Sequence, residues 1–205
     1  MKAMLIDIDR CNGCHCCQIA CKDEHVGNDW TPIAKPQPDI GQFWMKVTDI
    51  VQGTVPKVRV RYMHDICQHC GDAPCISSCK THAIYKRDDG IVIIDPEKCT
   101  GGRLCMDACP YGAIYFNPVR NTTTKCDFCS DALDLGMDPA CVSACPNRAL
   151  GYGEFAELKT KYGNESQVFP LPLPSGTTPA LVLIPHRNAA LAANRNPVIA
   201  NREEV

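Results

Sequence analysis

The sequence predicts an α+β fold made of small modules organised around bound metal, and three observations predict it. Sixteen cysteines fall into four runs along 205 residues. The runs are Cys11-x2-Cys14-x2-Cys17-x3-Cys21, Cys67-x2-Cys70-x4-Cys75-x3-Cys79, Cys99-x5-Cys105-x3-Cys109-Pro110 and Cys126-x2-Cys129-x11-Cys141-x3-Cys145-Pro146. Apolar residues reach 45%, but that figure counts the cysteines, and aromatics are only 6%, so an apolar core by itself is modest. Short alternating apolar segments next to Asp and Gly read as strands, and the Cys-x3-Cys segments read as helical turns.

Three closely spaced thiols and a fourth after three more residues, often before proline, form the ligand pattern of a [4Fe–4S] cluster. In two-cluster ferredoxins that fourth cysteine ligates the other cluster. Three of the four runs carry the complete set, and only Cys16 lies outside the spacing. Metal binding is then coupled to folding. A disulfide scaffold would call for a secretory leader, whereas MKAMLIDIDRC reads as a strand leading directly into the first run. Structural zinc also uses CxxC pairs, but four cysteines between Cys11 and Cys21 are denser than zinc sites use. A zinc-binding interaction module stays as the rival of another class.

The elements follow in order. The first and fourth runs form an outer pair, so residues 1–60 with 121–155 read as an outer ferredoxin-like module. Residues 61–120 read as an inner ferredoxin-like module, a two-cluster unit inserted in the other. Residues 22–60 are a long excursion holding Trp30, Pro32, Pro36, Pro38 and Trp44, and they carry no ligand spacing. They are expected to form a partner-facing insertion, with a surface loop as the alternative. Ala83–Lys86 and Gly90–Ile94 flank Arg87-Asp88-Asp89, a hairpin signal. Cys75–Cys79, Cys105–Cys109 and Cys141–Cys145 are expected to be helical turns, since x3 spacing puts two thiols one turn apart. A helix is expected over Glu154–Tyr162. Residues 156–205, with Pro170, Pro172, Pro174, Pro179, Pro185 and Pro197, suit an extended C-terminal arm without a core of its own.

Formal net charge is −2 with a pI near 6.3, and no basic cluster points to nucleic acid. The longest apolar run, Ala180–Ile184, is too short to span a bilayer, and no twin-arginine pair occurs. A cytoplasmic chain is expected, with export alongside a signal-bearing partner as the alternative. No Ser/His/Asp arrangement, phosphate-cradling loop or carboxylate pair suggests catalysis. The six histidines (His15, His25, His64, His69, His82 and His186) are scattered. His15 and His69 sit inside CxxC loops, where a surface or supporting role is expected rather than ligation.

With these runs laid out, the chain resembles the four-cluster iron–sulfur subunit of the dimethyl sulfoxide reductase family of molybdenum and tungsten enzymes. The resemblance rests on Cys67-Gln68-His69-Cys70-Gly71-Asp72-Ala73-Pro74-Cys75, Asp88–Val92, Ala108-Cys109-Pro110-Tyr111-Gly112 and Lys125-Cys126-Asp127-Phe128-Cys129. The tail from Leu171–Pro174 to Asn201–Val205 is similar as well. Cys21-Lys22-Asp23-Glu24-His25, Asn28-Asp29-Trp30 and Trp44-Met45 resemble the small subunit of pyrogallol–phloroglucinol transhydroxylase and, by extension, reductive catechol dehydroxylases.

The resemblance implies two modules related by pseudo-two-fold symmetry and cross-pairing between runs. One cluster takes Cys11, Cys14, Cys17 and Cys145, and a second takes Cys21, Cys126, Cys129 and Cys141. A third takes Cys67, Cys70, Cys75 and Cys109. The fourth takes Cys79, Cys99, Cys105 and position 102, which is Gly. Three [4Fe–4S] clusters and one [3Fe–4S], or incompletely ligated [4Fe–4S], are therefore expected. The electron-transfer subunit of respiratory nitrate reductase is similar here, with Trp at the matching position and a three-iron cluster. The resemblance further implies a large molybdopterin-type catalytic subunit carrying a Mo or W bis-pterin, which performs the substrate chemistry on a phenolic compound. It also implies a membrane anchor subunit or a soluble electron donor. The alternative is the iron–sulfur subunit of a formate dehydrogenase or hydrogenase complex.

Overall fold

The computed structural model describes residues 1–25, 44–163, 165, 168–172, 176–188 and 197–202. Its first strand, β1 (Lys2–Asp7), is the middle of a three-stranded sheet. It pairs antiparallel with β8 (Leu150–Glu154), Ile6 opposite Leu150, and parallel with β9 (Leu181–Ile184), Met4 opposite Leu181. A central strand has neighbours on both edges, which suits the near-continuous apolar run Ala3-Met4-Leu5-Ile6. Leu181, Val182 and Leu183 are likewise almost wholly buried. Helix α6 (Phe155–Tyr162) covers one face, packing Leu158 with Ala3, Ala180 and Val182.

Between β1 and β8 the chain makes loops, short helices and three further pairings. Helix α1 (Cys16–His25) carries the end of the first run. Strands β2 (Met45–Thr54) and β3 (Lys57–Ile66) form a ten-residue antiparallel hairpin, edged by β10 (Val198–Ile199) on β2. Helix α2 (Pro74–Ser78) leads to the hairpin of β4 (Ile84–Lys86) and β5 (Val92–Ile94). Helix α3 (Leu104–Ala108) precedes the second small hairpin, β6 (Tyr115–Asn117) with β7 (Thr122–Thr124). Helices α4 (Ser130–Asp134) and α5 (Ala140–Ser143) lead into β8. The β4–β5 hairpin docks on the central sheet, where the Lys2 N–H donates to the Asp89 carbonyl at 2.7 Å.

Two stretches differ from the sequence reading. Of residues 22–60, those at 22–25 end α1, and those from Trp44 on form not a loop but strand β2 and the start of β3. Met45 and Val47 are buried on one face of β2, and Thr48, Ile50 and Gln52 on the other, since successive residues of a strand point to opposite faces. The 60/61 boundary therefore falls inside β3. Residues 26–43, with Trp30 and the prolines at 32, 36 and 38, lie outside the described residues. The tail also differs from an arm without a core, because β9 completes the central sheet and Leu183 is fully buried in the main core.

That main core combines Met4, Ile6, Ile8, Met45, Met63 and Phe128 with Cys17, Cys21, Cys126, Cys141 and Cys145. A second, smaller core holds Ile84, Val92 and Ile114 with Cys75 and Cys105. Cysteine sulfur fills positions that aliphatic carbon occupies in ordinary domains.

Candidate metal centres

The short helices place the thiols. Cys17 and Cys21 lie one turn apart on α1, and Cys141 lies on α5, which packs against α1. Cys75 follows Pro74 at the start of α2, where a missing N–H costs no helical bond. The CxxC loops bend through left-handed residues: Gly13 at φ +69°, His15 at +57°, His69 at +42°, Phe128 at +65° and Cys129 at +48°.

Fifteen of the sixteen thiols gather into four groups that sense each other's charge. Burial pushes Cys17 up to about 12, with Cys11, Cys145 and Cys14 adding to the rise. Burial also raises Cys11, helped by Cys145 and Cys14. In the second group burial raises Cys21 to about 12, followed by the charge of Cys129. Burial raises Cys141 well above its ordinary value, followed by the charge of Cys21 and Cys129, and it raises Cys126 likewise. In the third group burial raises Cys70 to about 12, with Cys67, Cys109 and Cys75 adding. Cys67, Cys70, Cys75 and Cys109 together line a narrow cavity. Each group draws its members from two runs, the first run joining the fourth and the second joining the third.

The groups also touch in sequence. Cys141 senses Cys17 of the first group, Cys126 senses Cys67 of the third, and Cys75 senses Cys105 of the fourth. Mutual charge thus links the first group to the second, the second to the third and the third to the fourth.

The fourth group is chemically different. Cys79, Cys99 and Cys105 line a cavity of about 120 Å³ with Lys80, Thr81, Gly102, Arg103 and Thr123. Burial alone would raise Cys79, yet hydrogen bonds from the Thr81 hydroxyl and from backbone N–H groups outweigh it, and Cys79 lies below its ordinary value. Cys99 is lowered in the same way, burial being outweighed by the Thr123 hydroxyl and by the N–H groups of Thr123 and Gly101. The Thr123 oxygen is 3.5 Å from both Cys99 and Cys105 sulfurs, and its N–H is 3.4 Å from Cys99. Gly102 is exposed at the cavity mouth, and a Cβ built there meets no atom within 4 Å.

Spare Cys16 lies beside the first group and is raised first by a hydrogen bond with Cys14, then by the charge of Cys14. His69 lies among the thiols rather than on the surface. It is 2% exposed and accepts the Val92 N–H at Nδ1, 3.0 Å away. His15 instead pairs with Asp49 at 3.5 Å. Several residues near the thiols carry no spacing signal. The Lys125 ammonium is buried, donates to the Val92 carbonyl and to that of Cys126 at 2.9 Å, and lowers Cys75 against the stronger effect of burial. Lys86 donates to the carbonyls of Cys70 (2.8 Å) and Gly71. His64 and His25 approach sulfurs directly.

A family model for a 4Fe-4S dicluster domain matches residues 58–155. The B subunit of the anaerobic dimethyl sulfoxide reductase of Escherichia coli (strain K12) is 36% identical over 98% of this chain and 96% of its own length. The chain belongs to the dimethyl sulfoxide reductase family of iron–sulfur subunits. Its role is that of an iron–sulfur electron-transfer subunit of that family. Within the family, similarity extends to the arsenate respiratory reductase iron-sulfur subunit of Shewanella sp. (strain ANA-3), 31% identical over 77% of this chain and 83% of that protein. The pyrogallol hydroxytransferase small subunit of Pelobacter acidigallici is 38% identical over 74% of this chain and 54% of its own length. Among the described residues no helix is long and apolar enough to cross a membrane.

Proposed function

We propose that this subunit conducts electrons through four clusters in a row, to or from a catalytic subunit carrying a molybdenum or tungsten pterin. The observation that carries the reading is this linkage by charge, in which each thiol group senses the next. Cys11, Cys14, Cys17 and Cys145 would hold the first [4Fe–4S] cluster, and Cys21, Cys126, Cys129 and Cys141 the second. Cys67, Cys70, Cys75 and Cys109 would hold the third. Cys79, Cys99 and Cys105 would hold a [3Fe–4S] cluster, since Gly102 offers no donor atom at the fourth position. When bound, the clusters supply reversible one-electron exchange. The chain's own part is to supply thiolates, exclude water and set the local charge. At the first three groups most thiols are buried or half-buried, which limits water, while Cys14 is exposed. At the fourth, hydroxyls, N–H groups and one thiolate fewer favour the reduced state, because net charge and hydrogen bonds to sulfur set potential.

The first group faces the catalytic subunit, and a membrane anchor subunit or a soluble carrier meets the Gly102 end. Similarity to the pyrogallol hydroxytransferase small subunit supports a phenolic substrate for the catalytic subunit. The test is metal analysis and paramagnetic resonance on the anaerobically purified complex. About fifteen irons per chain and an oxidised three-iron signal are expected. Eight irons or fewer, with no loss on handling, would sink the four-cluster reading.

A further inference from the structure

Two histidines lie against ligand sulfurs and have no task in the wire described so far. His64, on β3, is 2% exposed, and its Nε2 lies 3.9 Å from Cys11 Sγ. Its Nδ1 is buried without a hydrogen-bond partner. His25 ends α1 inside the segment Cys21–His25 that the sequence singles out, and its Nε2 lies 3.6 Å from Cys129 Sγ. The ring packs against Trp44 with centroids 3.9 Å apart and planes tilted by 33°, which restrains its orientation. The competing acceptor, Asp127 Oδ1, is farther from the same nitrogen at 3.9 Å and already accepts the Cys129 N–H at 2.8 Å.

A thiolate bound to iron carries no proton, so the hydrogen in each N···S contact belongs to the imidazole. For His64 the opposite tautomer would aim a lone pair at the sulfur and leave a buried N–H on Nδ1 with nothing to bond, which is costly. We propose that His64 and His25 are positioning residues, each donating one N–H···S hydrogen bond, His64 to the first cluster through Cys11 and His25 to the second through Cys129. Each bond raises its cluster's reduction potential, because a donor favours the more negative, reduced form. At Cys79 and Cys99 the hydroxyls of Thr81 and Thr123 take the corresponding places. The inference rests on the ligand assignment above.

The experiment is a redox titration of the anaerobic complex, followed by paramagnetic resonance, for the wild type, His64→Leu and His25→Leu. Each leucine removes the donor and keeps the site filled. Each variant is expected to lower the potential of one couple, a different one in each, by about tenfold in its equilibrium, or about 59 mV for one electron. His64→Gln and His25→Gln, which retain an N–H, should restore most of the shift. In the wild type, histidine labelled with ¹⁵N should show nuclear coupling to two clusters, together with a proton coupling lost in D2O. That measurement decides the matter even if the leucine variants fail to assemble. Iron content is read in parallel. A low wild-type iron count strikes the ligand assignment. Full iron with unmoved potentials, the same couple moving in both variants, or no histidine coupling in the wild type overturns the hydrogen bonds alone.

Discussion

Two glycines in the cysteine runs have opposite constraints. Gly13 sits at φ +69°, and a Cβ there would lie 2.2 Å from the Tyr62 ring. Gly13→Ala therefore carries about 1–2 kcal/mol of left-handed strain and displaces Tyr62 from the loop that sets Cys11 and Cys14. A lowered melting temperature with weakened first-cluster signals is expected, and adding Tyr62→Ala should relieve only the contact, not the backbone strain. A melting temperature equal to wild type would show that the loop bends freely. At Gly102 the added side chain meets open space. Gly102→Cys is expected to raise iron by about one atom per chain, abolish the oxidised three-iron signal and lower that site's potential, since a fourth thiolate adds negative charge. Unchanged iron and signal would mean that the fourth corner is closed by something other than the missing thiol. Gly102 is legible in the sequence because spacing exposes a gap in a ligand pattern. Thr123 is not, because nothing in the sequence links a threonine of β7 to sulfurs that precede it by 24 and 18 residues.

At the scale of elements, what is legible is what local chemistry decides. The turn Arg87-Asp88-Asp89-Gly90 and its alternating flanks specify the β4–β5 hairpin, and x3 spacing specifies α2, α3 and α5. Two elements are hidden because composition masks pattern. Lys57–Arg61 alternate just after Gly53–Pro56, a hairpin signal, but the prolines and Trp30 upstream make the whole stretch look like a loop. Leu181–Ile184 is too short for a membrane span, yet four apolar residues are the right length for a buried strand. Its parallel pairing with β1 joins residues nearly 180 positions apart, a contact that local pattern cannot reveal. The structure makes that strand testable. Leu183 is fully buried in the main core, so Leu183→Ala is expected to cost about 2–5 kcal/mol in denaturant unfolding of the cluster-loaded chain. A cost under about 0.5 kcal/mol, as for a surface change, would return the tail to the status of a loose arm.

Across the whole molecule, sulfur and hydrocarbon share the interior unequally. The small core depends on Cys75 and Cys105 for two of its five buried members, the main core contains five buried cysteines, and the cluster of Ala3, Leu158, Ala180 and Val182 has none. Removing iron should therefore release residues 67–79 and 99–109 first in hydrogen exchange, while β1, β9 and α6 keep most of their protection. Uniform loss of protection would show that the clusters support the sheet as much as the loops. The same burial sets how the iron-free chain responds to pH. Cys17, Cys21 and Cys70 are raised from an ordinary value near 9 to about 12, and Cys75 and Cys129 to about 11, with burial the first cause in each. A thiol whose folded value exceeds its unfolded one holds its proton more tightly when folded. Its contribution to stability is complete below about pH 9 and is lost as pH rises through 11 to 12. With iron bound the thiols are already deprotonated and that dependence disappears. The iron-free chain should thus melt at a markedly lower temperature at pH 10 than at pH 7.5, whereas the loaded protein should change far less. Equal pH dependence in the two forms would mean that these thiols are open to water in the iron-free fold, and that the metal builds the buried sites rather than entering them.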